Sequence, residues 1–433
     1  MINNLIPFLV LGYFLLYIKK TGVNNLLLYL MFVSFFVFAT NYSNYGLDID
    51  IFRYLHRVIG IAVILDLVFH IIRNKINFFK DSIPQIQLIF FLVLLLSFFG
   101  NDLNMPHYLH YVRNFIFVAS ICLYLFYKLD SNKKLDNLFG LVKGITILLS
   151  CFIFLEFFQK GWEDPVRLFY GNANYLAYSL LLGLSLILFS KSGFKKIVTT
   201  FIVIIAIFAT GSRAAELATL FIIICYLFNV QYPKKYLISF FLVGLTLVIF
   251  FSEQIIKNKN YNNTRTLIAQ VSFNIFKDNP INGLGYGQFR TQFRDYISQD
   301  IFNKNNNEVN DILRGYRGDF PSSEILASMD KIDKANQGLF INTEKMTHND
   351  LLTVVTELGL IGLFCVIFFF YKLYIELSNL LLYKRSDFLF SIGIIGGSLI
   401  FSLFHNNMTS FVFWFVLFIP FIMNRNYKKL QKL

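Results

Sequence analysis

Residues 197–229, IVTTFIVIIAIFATGSRAAELATLFIIICYLFN, decide the fold class of this chain. Two apolar runs, 197–210 and 214–229, stand on either side of a short Gly-Ser-Arg segment. Each run is close to the length of a spanning helix, which needs about 20 mostly apolar residues. The stretch therefore predicts two membrane-spanning helices joined by a polar connector.

The composition of the whole chain of 433 residues indicates the same class. Charged residues make up 15% of it and hydrophobic residues 56%, with 53 Phe and 24 Tyr. Soluble domains are about 25% charged and contain far fewer aromatic residues, so an ordinary soluble domain is excluded. The four cysteines lie in apolar runs without CxxC spacing and are interpreted as small hydrophobic residues.

Thirteen apolar runs of similar length occur along the chain, separated by charged or turn-forming clusters. They predict an all-α polytopic membrane protein with about 12 to 13 transmembrane helices. The first run follows no basic segment and meets no small-residue cleavage site, so it is expected to be a retained span. The runs are 3–18, 25–40, 58–72, 83–99, 108–127, 138–158, 173–190, 197–210, 214–229, 236–252, 349–371, 388–404 and 409–423.

The connectors between these runs alternate in charge. One alternate set, with the C-terminal tail, contains 20 Lys and Arg, and the other short connectors contain five. Cytoplasmic loops carry the excess of positive residues, so the N-terminus is predicted outside and the C-terminus in the cytoplasm. A nucleic-acid partner is excluded, because the net charge of +13 is spread over many loops and not gathered into one patch.

One outer connector, residues 253–347, is much longer than the others. Its 95 residues contain 12 Lys and Arg against 11 Asp and Glu, and long folded loops usually carry function. It divides the chain into three predicted parts: a bundle of about ten spans (1–252), an extracytoplasmic loop (253–347) and about three C-terminal spans (348–433).

Within this loop, TRTLIAQVSFNIFKDNP (264–280) predicts an amphipathic helix lying at the membrane interface. A threonine before the apolar residues is expected to be the N-cap, and Pro280 follows the helix. The next segment, NGLGYGQF (282–289), predicts a Gly-rich turn and lacks the GxxxxGK[ST] pattern of a phosphate loop. The apolar residues at helical spacing are Leu267, Ile268, Val271 and Ile275.

Arg213 and Glu216 are ionisable residues beside apolar runs, where a charge needs a partner or a function. Their spacing places them on one helical face. One interpretation is a structural ion pair. The other is an anion site, in which the Arg213 guanidinium and the free N–H groups of a helix N-terminus bind the anion together. Arg265, at the start of the predicted loop helix, is either an anion contact or a solvated end residue.

A second polar group, TEKMTHND, lies at the outer mouth of the eleventh run. Its His348 is a candidate general base, because a neutral imidazole is the usual base near neutral pH. A helix cap or solvent contact is the alternative. Asn349 and Asp350 are adjacent, and Glu357 lies nine residues further into the run, where it requires a partner or a polar cavity.

Other polar residues at this predicted level have weaker assignments. Asn172 and Asn174 start the seventh run, where N-capping is the simple interpretation. Arg113, with His110, is a further candidate anion contact in the fifth run. The six histidines show no HxxxH or HExxH spacing, which does not favour a metal site. Polar residues expected to serve bundle packing are His405, Asp66 and Lys143.

Several of these segments occur in an order that is typical of one family. They are TGSRAAELATL (210–220), TRTLIAQVSFNIFKDNPINGLGYGQF (264–289), HNDLLTVVTELGLIGLF (348–364) and, less specifically, GNANYLAY (171–178). Over about 70 residues the chain resembles the O-antigen ligase and O-antigen polymerase superfamily of bacterial envelope enzymes. The first 170 residues match that family in hydropathy alone.

In this resemblance the family's arginine after Gly-Ser corresponds to Arg213, its loop-helix arginine to Arg265 and its histidine before the post-loop span to His348. Asp350, beside His-Asn, departs from the residues often found there. The supporting residues that we single out are Asn174, Glu216, Asn349, Asp350, Glu357 and Arg113.

The resemblance implies a transferase, without metal or cofactor, that moves glycan from undecaprenyl diphosphate to an acceptor hydroxyl. It implies a multi-pass protein of the bacterial inner membrane that works on the outer face. The implied partners are the undecaprenyl-diphosphate-linked oligosaccharide donor, a glycan or lipid A-core acceptor, membrane lipids and a chain-length regulator. The nearly neutral loop slightly favours a polymerase, because it lacks a basic patch for a phosphorylated lipid A core.

Two other function classes fit the hydropathy. A polysaccharide flippase or other transporter would also have many spans and buried charges, but its charges should line a central path. It would not need a 95-residue outer loop beside a candidate base. A non-catalytic sensor or scaffold is the third class.

Overall fold

The computed structural model describes residues 2–21, 26–38, 50–74, 81–99, 103–160, 166, 168, 173–190, 193–230, 259–292, 296, 347, 349–405 and 410–431. Those residues form helices and short connectors, and no strand occurs among them. The helices are α1 (Ile2–Thr21), α2 (Leu26–Phe38), α3 (Asp50–Asn74), α4 (Ser82–Leu96), α5 (Met105–Lys128), α6 (Asn132–Lys160), α7 (Ala173–Leu188), α8 (Phe194–Ala209), α9 (Arg213–Asn229), α10 (Lys259–Asp278), α11 (Phe289–Gln292), α12 (Asp350–Tyr383), α13 (Arg385–Ser402) and α14 (Phe411–Leu430).

The helices follow the predicted spans closely. Every predicted span except the tenth coincides with a helix, and the tenth, 236–252, lies outside the described residues. Within the described part, α5, α6, α12 and α13 are long and apolar enough to cross a membrane, and α4 and α7 are shorter apolar helices. The predicted class, an all-α polytopic membrane protein, is confirmed.

One hydrophobic cluster runs through the bundle, from Ile6 in α1 to Met423 in α14. Helices that precede the long loop and helices that follow it therefore share the same core. A second, smaller cluster joins α10 to the residues after it, through Ile268, Val271 and Phe289. The amphipathic face of α10 thus packs against the protein itself.

Small residues bring α9 and α13 close together. A Cβ placed on Gly396 would lie 2.2 Å from the ring of Phe221, and one on Gly393 would lie 3.3 Å from Cys225. On the same face, a Cβ on Gly397 would lie 3.5 Å from the carbonyl oxygen of Ala218. Close approach of this kind stabilises helix pairs in lipid, where van der Waals packing replaces the hydrophobic effect.

Contacts between connectors show that the basic ones share one end of the bundle. The Tyr17 hydroxyl, near the end of α1, donates to the carbonyl oxygen of Asn137 at the start of α6 at 2.6 Å. The Arg425 guanidinium, near the end of α14, donates to the carbonyl oxygen of Leu129 at 2.8 Å. These contacts join three of the connectors that were grouped by charge.

Two of the differences from the predicted bounds concern the long loop and the helix that follows it. α10 begins at Lys259, so the threonines at 264 and 266 lie inside the helix, and the predicted threonine N-cap is wrong. α12 continues to Tyr383, beyond the predicted run that ends at residue 371. Its part from Leu360 to Tyr383 spans about 36 Å at about 1.5 Å per residue, which already exceeds the ~30 Å hydrocarbon core of a bilayer.

Candidate functional site

α12 is interrupted at Gly359, where the backbone adopts φ 59° and ψ −151°. A break in a helix releases carbonyl groups before it and N–H groups after it. Such groups need partners at membrane depth, because lipid supplies none. The released groups here are the carbonyls of Thr356 and Glu357 and the N–H groups of Leu360 and Ile361.

The Gly-rich turn, residues 280–288, provides all four partners. The N–H groups of Leu284 and Gly285 each donate at 2.9 Å, to Thr356 and Glu357 respectively. In the other direction, the carbonyl of Pro280 accepts from Leu360 at 2.8 Å, and that of Ile281 accepts from Ile361 at 3.3 Å. The long loop is therefore joined to α12 through backbone bonds.

Glycine is required on both sides of this contact. A Cβ on Gly359 would lie 2.4 Å from the carbonyl oxygen of Ile281, and one on Gly283 would lie 2.4 Å from the carbonyl carbon of Glu357. Both glycines also have positive φ, 59° and 63°. Any side chain would therefore be strained and would separate the two backbones.

The Glu357 carboxylate completes the contact. It accepts the N–H of Gly287 at 2.9 Å and the N–H of Phe289 at 3.2 Å. The side chain is buried, with 4% of its surface exposed. The sequence indicated that Glu357 needed a partner or a polar cavity; its partner is the backbone of the Gly-rich turn.

The far side of the turn is attached to the start of α5. The side-chain oxygen of Gln288 accepts the N–H of Asn104 at 2.9 Å, and its amide nitrogen donates to the Asn104 carbonyl at 3.4 Å. The ring of Tyr286 meets Tyr111 edge to face at 5.7 Å. Burial, together with the charge of Glu357, raises the pKa of Tyr286 above its usual range. The Tyr286 hydroxyl is therefore harder to ionise than that of a free tyrosine.

Arg213 is the first residue of α9 and is half-buried. Gly211 before it has φ 64°, and Ser212 occupies the N-cap position without capping the helix through its side chain. Within the described part of the chain, no ion pair joins Arg213 to Glu216, which is buried one turn on. The charge of Arg213 nevertheless acts on Glu216, so this geometry is compatible with both the structural pair and the anion site.

Asn349 and Asp350 lie at the start of α12. The Asn349 side chain accepts the N–H of Leu352 at 3.1 Å, which is an N-cap, and donates to the carbonyl of Leu403 at 3.0 Å. It therefore ties the start of α12 to the end of α13. Asp350 is buried, with 6% exposure. His348, between Thr347 and Asn349, lies outside the described residues.

The remaining predicted residues are distributed over three other helices. Arg265 lies in α10, and its side chain is outside the described set. Asn174 is the second residue of α7. Arg113 is exposed on α5, with a guanidinium nitrogen 2.9 Å from Nδ1 of His110.

Two of the residues assigned to bundle packing, Asp66 and His405, contact other side chains of the bundle. Asp66 pairs with Lys128 at 2.9 Å, and the His405 ring lies 4.6 Å from that of Phe401. Asn172 lies outside the described residues.

The starts of α7, α9 and α12 meet around the end of α13, which we call the site end of the bundle. Tyr178 of α7 donates to Ser398 at 3.2 Å and stacks on Phe401. Gly393 lies opposite Cys225 and Gly397 opposite Ala218, so α9 and α13 are antiparallel. Arg213 therefore lies toward the end of α13, to which Asn349 is also bonded. The basic connectors lie at the other end.

Residues 198–312 match the O-Antigen ligase family model. The matched segment contains α9, α10 and the Gly-rich turn, and with them Arg213 and Arg265. The resemblance to the O-antigen ligase and polymerase superfamily is therefore confirmed. The match supports a membrane enzyme of this type, which transfers glycosyl groups from lipid-linked glycan. No curated protein matches the chain.

In the part of the chain that the structure describes, no three His, Cys, Asp or Glu side chains are grouped so that they could hold a metal ion.

Proposed function

We propose that this protein polymerises O-antigen, or the repeat units of a related surface polysaccharide, from an undecaprenyl-diphosphate-linked donor on the outer face of the bacterial inner membrane. The observation that carries the proposal is the location of the family match. It covers the helix that begins with Arg213 and the loop helix that contains Arg265. The first of these helices starts at the site end, and the Asn349 cap is bonded to the end of α13 at the same end of the bundle.

The diphosphate of the donor is assigned to Arg213 and Arg265. A guanidinium can make two parallel hydrogen bonds to phosphate oxygens. At Arg213 the free N–H groups of the first turn of α9 add a favourable dipole for an anion. These contacts strengthen as the sugar–phosphate bond breaks, because negative charge then accumulates on the leaving diphosphate.

His348 is assigned as the general base, with its chain neighbours Thr347 and Asn349 at the start of α12. The acceptor hydroxyl oxygen attacks the anomeric carbon of the donor, and its proton passes to the imidazole. The bond from that carbon to the diphosphate oxygen breaks, and undecaprenyl diphosphate leaves with the electron pair. A single displacement of this kind inverts the configuration and uses no metal. A positioned base contributes roughly 100- to 10,000-fold to such a rate.

A ligase that transfers finished polymer to lipid A-core is the second candidate, because the same residues serve both reactions. We favour the polymerase because residues 253–347 carry 12 Lys and Arg against 11 Asp and Glu. A lipid A-core acceptor is phosphorylated, and binding it should require a cluster of positive charge on the loop.

The test is to identify the lipid-linked intermediate that accumulates when the gene is deleted. Single repeat units on the carrier lipid would support the polymerase, and full-length polymer on the carrier would establish the ligase instead. Unchanged carrier-linked glycan facing the outside would refute both. Accumulation of intermediates on the cytoplasmic face would indicate a flippase.

A further inference from the structure

The Glu357 carboxylate joins two segments that the proposed mechanism uses separately. One is the Gly-rich turn, residues 280–288, which follows α10 and therefore Arg265. The other is the first part of α12, residues 350–358, which follows His348. The carboxylate sits in the second segment and accepts the N–H of Gly287, near the end of the first, and that of Phe289, the residue directly after it.

A carboxylate in this place needs an explanation. Four backbone bonds already join the two segments, and burial of a charge costs free energy that an apolar side chain would not. In return, N–H groups bind a carboxylate more strongly than a neutral acceptor. Two such bonds to one planar group also define the position of the turn along α12.

The same turn is held on its other side by different residues. Gln288 binds both backbone groups of Asn104, and Tyr286 packs on Tyr111. A change at Glu357 therefore loosens the turn on the α12 side and leaves its attachment to α5 in place.

We propose that Glu357 is a positioning residue for glycan transfer. Its carboxylate fixes the Gly-rich turn against the first part of α12, and in this way sets the position of α10, the helix that contains Arg265, relative to the start of α12, which follows His348 in the chain. Glu357 does not touch the substrate. The inference rests on the proposed function, in which Arg265 contacts the donor diphosphate and His348 takes the acceptor proton.

The test uses Glu357→Gln in the purified full-length protein in lipid nanodiscs, because glutamine keeps the size of the side chain. An amide has only one oxygen, so one of the two hydrogen bonds from the backbone N–H groups is lost, and the other is made to a neutral acceptor instead of a charged one. Hydrogen exchange at Gly287 and Phe289 should become about 10- to 100-fold faster. Turnover should fall on the order of 100-fold, as expected for a misplacement of about 1 Å.

The donor dissociation constant and the thermal midpoint distinguish positioning from general damage. Donor affinity should fall much less than turnover, because Arg213 belongs to a different helix and keeps its contact while the contact of Arg265 is weakened. The thermal midpoint should remain close to that of the wild type. A simple folding defect would instead lower the midpoint, binding and turnover together.

Glu376→Gln is the matched control. It is the same substitution in the same helix, toward the opposite end, where the carboxylate accepts from Asn424 and has no contact with the turn. Exchange at residues 280–289 and turnover should both be unchanged. A second variant, Gly283→Ala, disturbs the contact with α12 from the turn side, because its Cβ would lie 2.4 Å from the carbonyl carbon of Glu357. It should reproduce the loss of turnover with a much smaller loss of donor affinity, and it decides the question if Glu357→Gln does not accumulate in the membrane.

Three outcomes would overturn the inference: faster exchange with normal turnover, unchanged exchange in Glu357→Gln, or an equal loss of donor affinity and turnover. Arg213→Ala, measured in parallel, tests the proposed function by itself. Full transfer in Arg213→Ala would refute the diphosphate assignment, whatever Glu357→Gln does.

Discussion

Gly359→Ala should detach the Gly-rich turn from α12. The φ of 59° and ψ of −151° belong to a region that only glycine adopts readily, and a side chain there costs about 1–3 kcal/mol. The added Cβ would lie 2.4 Å from the carbonyl oxygen of Ile281 and 2.7 Å from the backbone nitrogen of Gly283. Both are backbone atoms, so they can make room only if the turn moves away.

The cost of that movement follows from the bonds it breaks. Four backbone hydrogen bonds at about 1 kcal/mol each, about 4 kcal/mol together, hold the turn against α12. In the variant, the backbone strain of about 1–3 kcal/mol and the overlap of the Cβ with the turn act against these bonds and are relieved when the turn moves away. When the turn leaves, α12 can straighten and satisfy its own carbonyl and N–H groups. The expected result is therefore local opening and not loss of the whole fold.

Limited trypsin digestion measures this opening, because Lys277 and Arg290 flank the turn. Cleavage at these residues should become at least about 100-fold faster, given that each 1.4 kcal/mol is a factor of ten. Gly12→Ala in α1 is the control, since a Cβ there meets nothing within 4 Å. The reasoning is refuted if Gly359→Ala is cleaved no faster than Gly12→Ala.

Three further predictions concern topology and the assigned residues. A cysteine placed at Asn306 should react with an impermeant reagent in intact cells, and one placed at Lys429 only after lysis, in a background that lacks Cys151, the one exposed cysteine. The reverse labelling pattern would refute the predicted orientation. Arg213→Ala should abolish transfer while the protein still inserts, and Arg213→Lys should restore little of it because lysine lacks the planar fork; full activity in both variants would make the residue structural. His348→Ala should lose most of its turnover and keep its donor affinity, and the wild-type rate should fall as pH drops through about 6.5, where an ordinary imidazole gains its proton. A rate that does not change with pH in this range would make Asp350 the next candidate base.

The spans could be predicted because lipid imposes one simple requirement on them. The apolar run 138–158, for example, predicts α6, and the observed helix, Asn132–Lys160, begins less than two turns before that run. The end of α12 could not be predicted in the same way, because Lys372 and Glu376 interrupt the apolar pattern but not the helix. Hydropathy predicts the part of a helix that lies in lipid, and the helix itself can continue beyond the membrane into water.

The contact at Gly359 was beyond the reach of the sequence pattern. ELGLIGLF at 357–364 has the hydropathy of an uninterrupted span, and nothing local marks the break. The available signals were the buried charge of Glu357 and the closely spaced glycines of residues 282–289. Neither identifies the other as its partner, because the two segments are about 70 residues apart and are joined by backbone groups, which carry no sequence signature.

The break in α12 also constrains the order in which the molecule is made. The ribosome synthesises residues 280–288 before α12, so the partners of Thr356 and Leu360 already exist when α12 enters the bilayer. Until the turn docks, the newly inserted helix must be straight, because a bend at Gly359 would leave four backbone groups unbonded in lipid. Maturation of this protein therefore includes a rearrangement within the membrane after insertion, in which α12 bends at Gly359 as the turn docks.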